Sequence, residues 1–235
     1  MSECVAICFF FRDAPCKMQP ARILSISSPV NQDTDSGPTN PEEMIAYCAR
    51  VSNPANQWNN ATSPRLLAYL KRNGHWSPFE MVHVNMEINT TRDVARQILR
   101  HRSFSFQEFS QRYAAVDCGS CHVHEARMQD RNNRQASIPT DDEALQEEWK
   151  QRQERVWQAA TEAYGWAIEN GIAKEVARAV MPEGLTHSRL YMSGTVRSWI
   201  HYLRSRCDPS TQREHRLVAE ACRQCLQVHF PTLFS

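Results

Sequence analysis

Arg100, His101 and Arg102 stand in a row where an apolar period breaks off, and Ser103, Ser105 and Ser110 follow closely. Guanidinium forks match phosphate oxygens two bonds at a time and stay charged near neutral pH, and serine hydroxyls both donate and accept. Such a set suits a phosphate or a pyrophosphate. Arg92, Arg96 and Arg112 lie in the same stretch, opposed only by Asp93 and Glu108. Charge alone fits a solvated helix face equally well. Phe104, Phe106, Phe109 and Tyr113 alternate with the polar residues, however, which favours a segment half buried against a ring-bearing ligand. A second group, Gly74-His75-Trp76-Ser77-Pro78-Phe79-Glu80, compresses aromatic and hydrogen-bonding side chains into a turn. A third holds Arg197, His201, Arg204 and Arg206 with Trp199 and Tyr202, and 197 and 201 are one helical turn apart.

Cysteine chemistry is less persuasive. Cys118-Gly-Ser-Cys121-His122 matches the short pattern of covalent haem attachment, and Cys222 and Cys225 form a second CxxC. That haem needs an exported chain, and no basic leader with a small-residue cleavage site is present. Zinc would need Cys118, Cys121, His122 and His124 crowded into seven residues, where structural sites separate two ligand pairs by a loop. No metal ligand is therefore assigned. Nine cysteines, an odd number, fit reduced thiols and a cytoplasmic setting better than a closed disulfide framework.

The chain of 235 residues is long enough for one large domain, taken as residues 1–235. Its 27 basic residues against 26 acidic leave no global field to grip nucleic acid or a membrane surface. A single-stranded RNA binder, suggested by arginines among aromatics, is disfavoured on that ground. Only seven glycines occur, and neither GxGxxG nor GxxxxGK[ST] is present, so phosphate must be held by side chains. The longest apolar run, Val5 to Phe11, is too short to span a membrane and reads as a buried strand.

The elements that must position these groups follow from periodicity. Ser27 to Pro41 reads as a long surface loop, and Glu42 to Arg50 as a short helix. A helix follows with Ser63 as N-cap, Pro64 first inside, and Asn73-Gly74 as its stop. Val82, Val84, Met86 and Ile88 alternate with polar residues, which predicts a strand with one dry face. From Thr91 the period becomes helical, with Arg92, Arg96 and Arg100 on one side. A long helix spans about Asp141 to Asn170, with Leu145, Trp149, Val156 and Ala163 expected inside, and a short one ends before Pro182. The last helix opens on Thr211 and Glu214 as a capping box and runs to about His229. Few strands beside several helices predict an α+β fold.

Taken together, Arg100-His101-Arg102, seven residues, then Ser110 reproduce the RHRX7S signature, and the chain resembles the flavin-dependent thymidylate synthase (ThyX) family. Ala-Arg-Val-Ser at 49–52, the segment at 74–80, Ser-Gln-Arg-Tyr at 110–113 and Arg-Ser-Trp-Ile-His at 197–201 also look like family segments, in family order. The resemblance implies a curved antiparallel sheet with long helices. It implies reductive methylation of dUMP to dTMP, with 5,10-methylenetetrahydrofolate and NADPH as co-substrates, through bound FAD, in a homotetramer whose sites lie between subunits. Carried over by position, Ser52, His75, Ser77, Glu80, Arg100, His101, Arg102, Arg197 and His201 would contact FAD. Gln97, Glu108, Ser110, Arg112, Arg178 and Arg206 would hold dUMP. Arg206 is the expected catalytic group, stabilising negative charge as it spreads onto the uracil carbonyls. Ser110 also stands among the catalytic candidates, but without a Ser-His-Asp arrangement around it a ligand-binding role is expected. Three features depart from the family pattern: Ser193-Gly-Thr-Val196 where Asn is usual, Gln107, and the Cys118–His124 segment.

Overall fold

The computed structural model describes residues 19–30 and 37–235. The strand expected at Val5 to Phe11 and the middle of the loop after Ser27 lie outside these. In chain order the elements are β1 (Ala21–Ile26), α1 (Pro41–Ala49), α2 (Ser63–Arg72), β2 (His83–Thr91), α3 (Arg92–Ile98), β3 (Ser105–Glu108), β4 (Arg127–Gln129) and β5 (Ser137–Pro139). Then come α4 (Glu143–Glu169), α5 (Lys174–Ala177), β6 (His187–Thr195), α6 (Val196–Arg206), α7 (Arg213–His229) and α8 (Pro231–Phe234). The main sheet is antiparallel throughout, in the order β1-β2-β6-β3, and β4 pairs with β5 in a separate ribbon. This is an α+β arrangement, as expected.

Register explains the core. Val84, Met86 and Ile88 of β2 face the same side as Gly194, Met192 and Leu190 of β6, and Phe106 of β3 joins them. Those residues are sealed by α3, α6 and α7, with Trp199, Tyr202 and Leu226 wholly buried. Each fully buried aliphatic side chain of this kind contributes about 1.5–3 kcal/mol. A second cluster, Trp157, Ala160, Tyr164 and Ala167 with Val116, Met181 and Leu185, forms beneath α4.

Several expectations need correction. The second face of β2 is wet only at its start, where His83 is exposed and Asn85 half-buried: further on Glu87 and Asn89 are buried, and both are satisfied. Arg22 donates to Glu87 through Nε at 2.9 Å and Nη2 at 3.1 Å, and Arg189 donates to Asn89 at 3.2 Å. The inner face of α4 is Gln153, Trp157, Ala160, Tyr164 and Ala167, whereas Leu145, Trp149, Val156 and Ala163 lie exposed on the adjoining stripe. Both stripes carry apolar residues at helical spacing, so periodicity did not distinguish them. The arginine row is broken because α3 ends at Ile98: Arg92 turns inward to Glu108, Arg96 pairs with Glu183, and Arg100 falls beyond the helix. Thr62 occupies the N-cap position of α2 without a side-chain bond to it; Ser63 is its first residue and accepts from the buried Arg50 at 3.4 Å. The capping box at α7 does not form, since Gln212 occupies the cap and Glu214 turns into the interior. Gly74 and Gly171 stop α2 and α4 with φ of 70° and 76°, as their positions predict.

Gly194 lies against the ring of Phe104, so closely that a Cβ there would overlap it. Phe104 in turn stacks edge-on against Trp199, with centroids 4.9 Å apart. Gly194→Ala should therefore cost about 1–3 kcal/mol through overpacking and lower the urea midpoint. An unchanged midpoint would show that Phe104 moves aside freely.

Candidate active site

Three backbone bonds between near neighbours shape the turn after α3. His101 N–H donates to Ile98 O at 3.0 Å, Arg100 N–H to Gln97 O at 3.4 Å, and Phe104 N–H to His101 O at 3.2 Å. Buried Phe104 anchors this turn, and Arg100, Arg102 and Ser103 project outward. Arg100 and Arg102 make no ion pair with any described residue. His101 turns the other way, edge-on to Tyr202 at 4.9 Å, where it accepts from Arg206 Nε at 2.9 Å. Burial, with the charges of Arg206 and Arg100, holds its pKa down to about 4. The ring is therefore neutral near pH 7, with its proton on Nδ1, because Nε2 accepts. Arg206 thus keeps its full charge beside an uncharged partner.

A one-way hydrogen-bond chain runs behind this pair. Tyr202 Oη lies 3.2 Å from His215 Nε2, and His215 Nδ1 lies 3.3 Å from Gln97 Oε1. Gln97 Nε2 donates to Gln212 Oε1 at 2.6 Å, and Gln212 Nε2 donates to Glu214 Oε2 at 3.0 Å. Because Gln97 donates at one end, its oxygen must accept from His215, whose other nitrogen then accepts from Tyr202. Burial and the Arg206 charge hold His215 at about 3, so it too is neutral. At the far end Glu214 meets Arg127 at 2.7 Å and His124 at 3.5 Å. Burial opposes its ionisation, but these bonds outweigh it and keep the carboxyl far below the usual range. Burial likewise opposes charge on His124, yet Glu214 and the Gly184 carbonyl raise its pKa.

The remaining predicted residues fall in separate places. Arg197 of α6 donates to Glu80 at 2.5 Å, and His201, one turn on, lies 4.5 Å from the Trp76 ring. His75 and Ser77 are exposed in the same turn, and Ser52 is exposed just after α1. Glu108 accepts from Ser188 at 2.7 Å and from Arg92 at 3.4 Å. Ser110 is exposed at a hollow of about 560 Å³ that Glu108, Asn89 and Tyr191 also line. Arg112 is not gathered to this set within one chain: it pairs with Glu175 at 3.2 Å on the surface. Arg178 lies half-buried in a turn after α5, without an ion pair to any described residue.

Sequence reasoning missed His215 and Gln212 and misread Glu214, since no local spacing ties the start of α7 to Gln97 on α3. The Cys118–His124 segment feeds this region through His124, and among the described residues no group of three or more His, Cys, Asp or Glu is placed to hold a metal ion. No helix among them is long and apolar enough to cross a membrane.

An antiparallel sheet under helices carries two arginines without an ion pair among the described residues, beside a charged guanidinium held on a neutral imidazole, and such a site suits an enzyme class that handles anionic ring-bearing ligands. The comparisons name it. The profile described as "Thymidylate synthase complementing protein" matches residues 36–232. The chain is 50% identical over 212 residues to a "Flavin-dependent thymidylate synthase" of Synechocystis sp., covering 90% of this chain and 96% of the relative. It is 47% identical over 213 residues to a "Probable flavin-dependent thymidylate synthase" of Paramecium bursaria Chlorella virus 1, with 91% and 96% covered. Among solved structures, a UMP/dUMP methylase, PolB, from Streptomyces cacaoi bound with 5-Br dUMP aligns with a TM-score of 0.76 at 25% identity, covering 91% of this chain and 92% of that one. The chain belongs to the flavin-dependent thymidylate synthase family.

The buried imidazoles set a direction for acid sensitivity. His101 and His122 are held at about 4 and His215 at about 3, each against an ordinary 6.5. The unfolded chain therefore takes up these protons first, and stability complete above about pH 6.5 is lost as pH falls towards 4. His124, with its raised pKa, opposes this as a single group. The urea midpoint should fall between about pH 7.5 and pH 5, and His101→Asn should flatten that slope. Parallel slopes for the two proteins would show that His101 already binds its proton when folded.

Proposed function

We propose that the protein methylates dUMP to dTMP, taking carbon from 5,10-methylenetetrahydrofolate and reducing equivalents from NADPH through FAD. The observation that carries this reading is Arg206 Nε donating to the neutral His101 ring at 2.9 Å. C5 of uracil attacks carbon only when negative charge can spread onto the ring carbonyls, and a fixed guanidinium beside them lowers that barrier. A charged partner such as a carboxylate would cancel the effect. Neutral His101 orients Arg206 and leaves its charge available.

The other side chains divide by chemistry. Arg100 and Arg102 fit a pyrophosphate, being free of carboxylate partners among the described residues. With Ser52, His75, Ser77, Glu80, His101, Arg197 and His201 they form the proposed flavin-holding set, and bound FAD would relay hydride to the transferred carbon. Gln97, Glu108, Ser110, Arg112, Arg178 and Arg206 form the proposed dUMP set. Ser110 binds rather than attacks, since its hydroxyl makes no hydrogen bond to a base among the described residues.

The chain acts as one domain in a homotetramer, in the cytoplasm, and neither nucleic acid nor membrane is a partner. Support for assembly comes from α4, whose stripe of Leu145, Trp149, Val156 and Trp166 stays exposed among the described residues. The surface position of Arg112 and the unpaired Arg178 fit sites completed by another copy.

The direct test is a spectrum of the purified protein and an assay with dUMP, methylenetetrahydrofolate and NADPH, each omitted in turn. Flavin absorption and dTMP formation that needs all three are expected; colourless protein or no dTMP would overturn the reading. Arg206→Ala should retain FAD while turnover drops on the order of a hundredfold or more. Wild-type turnover in that variant would remove Arg206 from the mechanism. Trp149→Glu with Val156→Glu should yield smaller species by sedimentation, and an unchanged mass would clear α4 of any part in assembly.

A further inference from the structure

A cleft of about 880 Å³ opens between the end of α2, α6, α7 and α8, and none of the proposed flavin or nucleotide residues lines it. Lys71, Arg72, Arg204 and Arg223 line it, and no Asp or Glu among the described residues does. In a chain with 27 basic residues against 26 acidic, this is a marked local excess. Several arginines elsewhere are matched: Arg22 with Glu87, Arg96 with Glu183, Arg127 with Glu214. Arg72, Arg204 and Arg223 make neither an ion pair nor a side-chain hydrogen bond with any described residue. Lys71 donates to the Leu233 carbonyl at 2.5 Å, and burial pulls its pKa down. An anion in the cleft would relieve that desolvation and the mutual repulsion of the four cations.

The cleft is also apolar where a ring could rest. Trp76, Ile200, Leu203 and Phe234 line it. Trp76 links the cleft to the proposed flavin-holding set, its ring centroid 4.5 Å from that of His201. Arg204 lies within electrostatic reach of His201 as well, since after burial its charge and that of Arg197 lower the His201 pKa.

We propose that this cleft holds the multiply anionic end of a co-substrate whose reactive ring is delivered to the flavin-holding side chains. This rests on the assignment of His75, Arg197 and His201 to FAD. The ligand chemistry is a cluster of anionic oxygens attached to a flat ring system, which guanidinium forks bind two bonds at a time. Two co-substrates carry it: NADPH in its phosphates, and a folate in its glutamyl carboxylates.

The test uses the holoenzyme and an Arg72→Ala/Arg204→Ala/Arg223→Ala variant, all three positions being exposed. Tripolyphosphate binding by calorimetry should weaken roughly tenfold or more in the variant, while the FAD content and kcat stay unchanged. KM should rise by a similar factor for one co-substrate. Loss of the preference for NADPH over NADH assigns the cleft to phosphate, and loss of the preference for polyglutamyl over monoglutamyl folate assigns it to carboxylate. Equal tripolyphosphate binding in both proteins would overturn the proposal. So would weakened tripolyphosphate binding with both KM values unchanged, which marks an adventitious ion only, or a defect confined to FAD content. Should the wild type bind tripolyphosphate through these arginines yet make no dTMP, the anion site stands and the proposed reaction falls.

Discussion

An arginine beside a ring that cannot take up a proton keeps its entire charge, and the centre of this molecule is built around that pairing. Arg22, Arg96 and Arg127 each meet a carboxylate. Among the described residues Arg206 meets no carboxylate and bonds to His101. Burial alone would make a charged imidazole costly there, and two nearby guanidinium groups add to the cost, so the neutral form is enforced from both directions. Phe104 beneath the turn, Tyr202 at the ring edge and Gly194 giving room to Phe104 are the mechanical conditions for it. Serine, glycine, threonine and valine at 193–196 therefore have a packing reason at one position at least. Nothing in the structure accounts for Gln107.

What the sequence made legible was local. Pro64, Asn73-Gly74 and Asn170-Gly171 mark helix ends through backbone preferences that act within a few residues, and they lie where the ends are. Alternation in β2 gave its core face correctly. Errors arose where the deciding partner is far along the chain. The polar face of β2 is buried at Glu87 and Asn89, where Arg22 and Arg189 arrive from neighbouring strands. The capping box at Thr211 fails because Glu214 finds a stronger, buried partner in Arg127.

The long helix shows a different limit. α4 carries two adjoining apolar stripes, one on Trp157, Ala160 and Tyr164 and one on Leu145, Trp149 and Val156. A pattern with two solutions contains no information about which one the chain itself covers. The motif residues of the site were legible as a set, because their types and order are unusual, but not their pairings. His215 and Gln212, which fix the orientation of the Gln97 amide, carry no signature at all.

The row of donors from Tyr202 to Glu214 has one further effect. Its imidazole is far too weak a base, and its carboxyl far too strong an acid, to exchange protons around neutrality. The whole line keeps a single polarity there, like a row of magnets none of which can flip alone. A bend in the rate profile near neutral pH would have to originate outside this line.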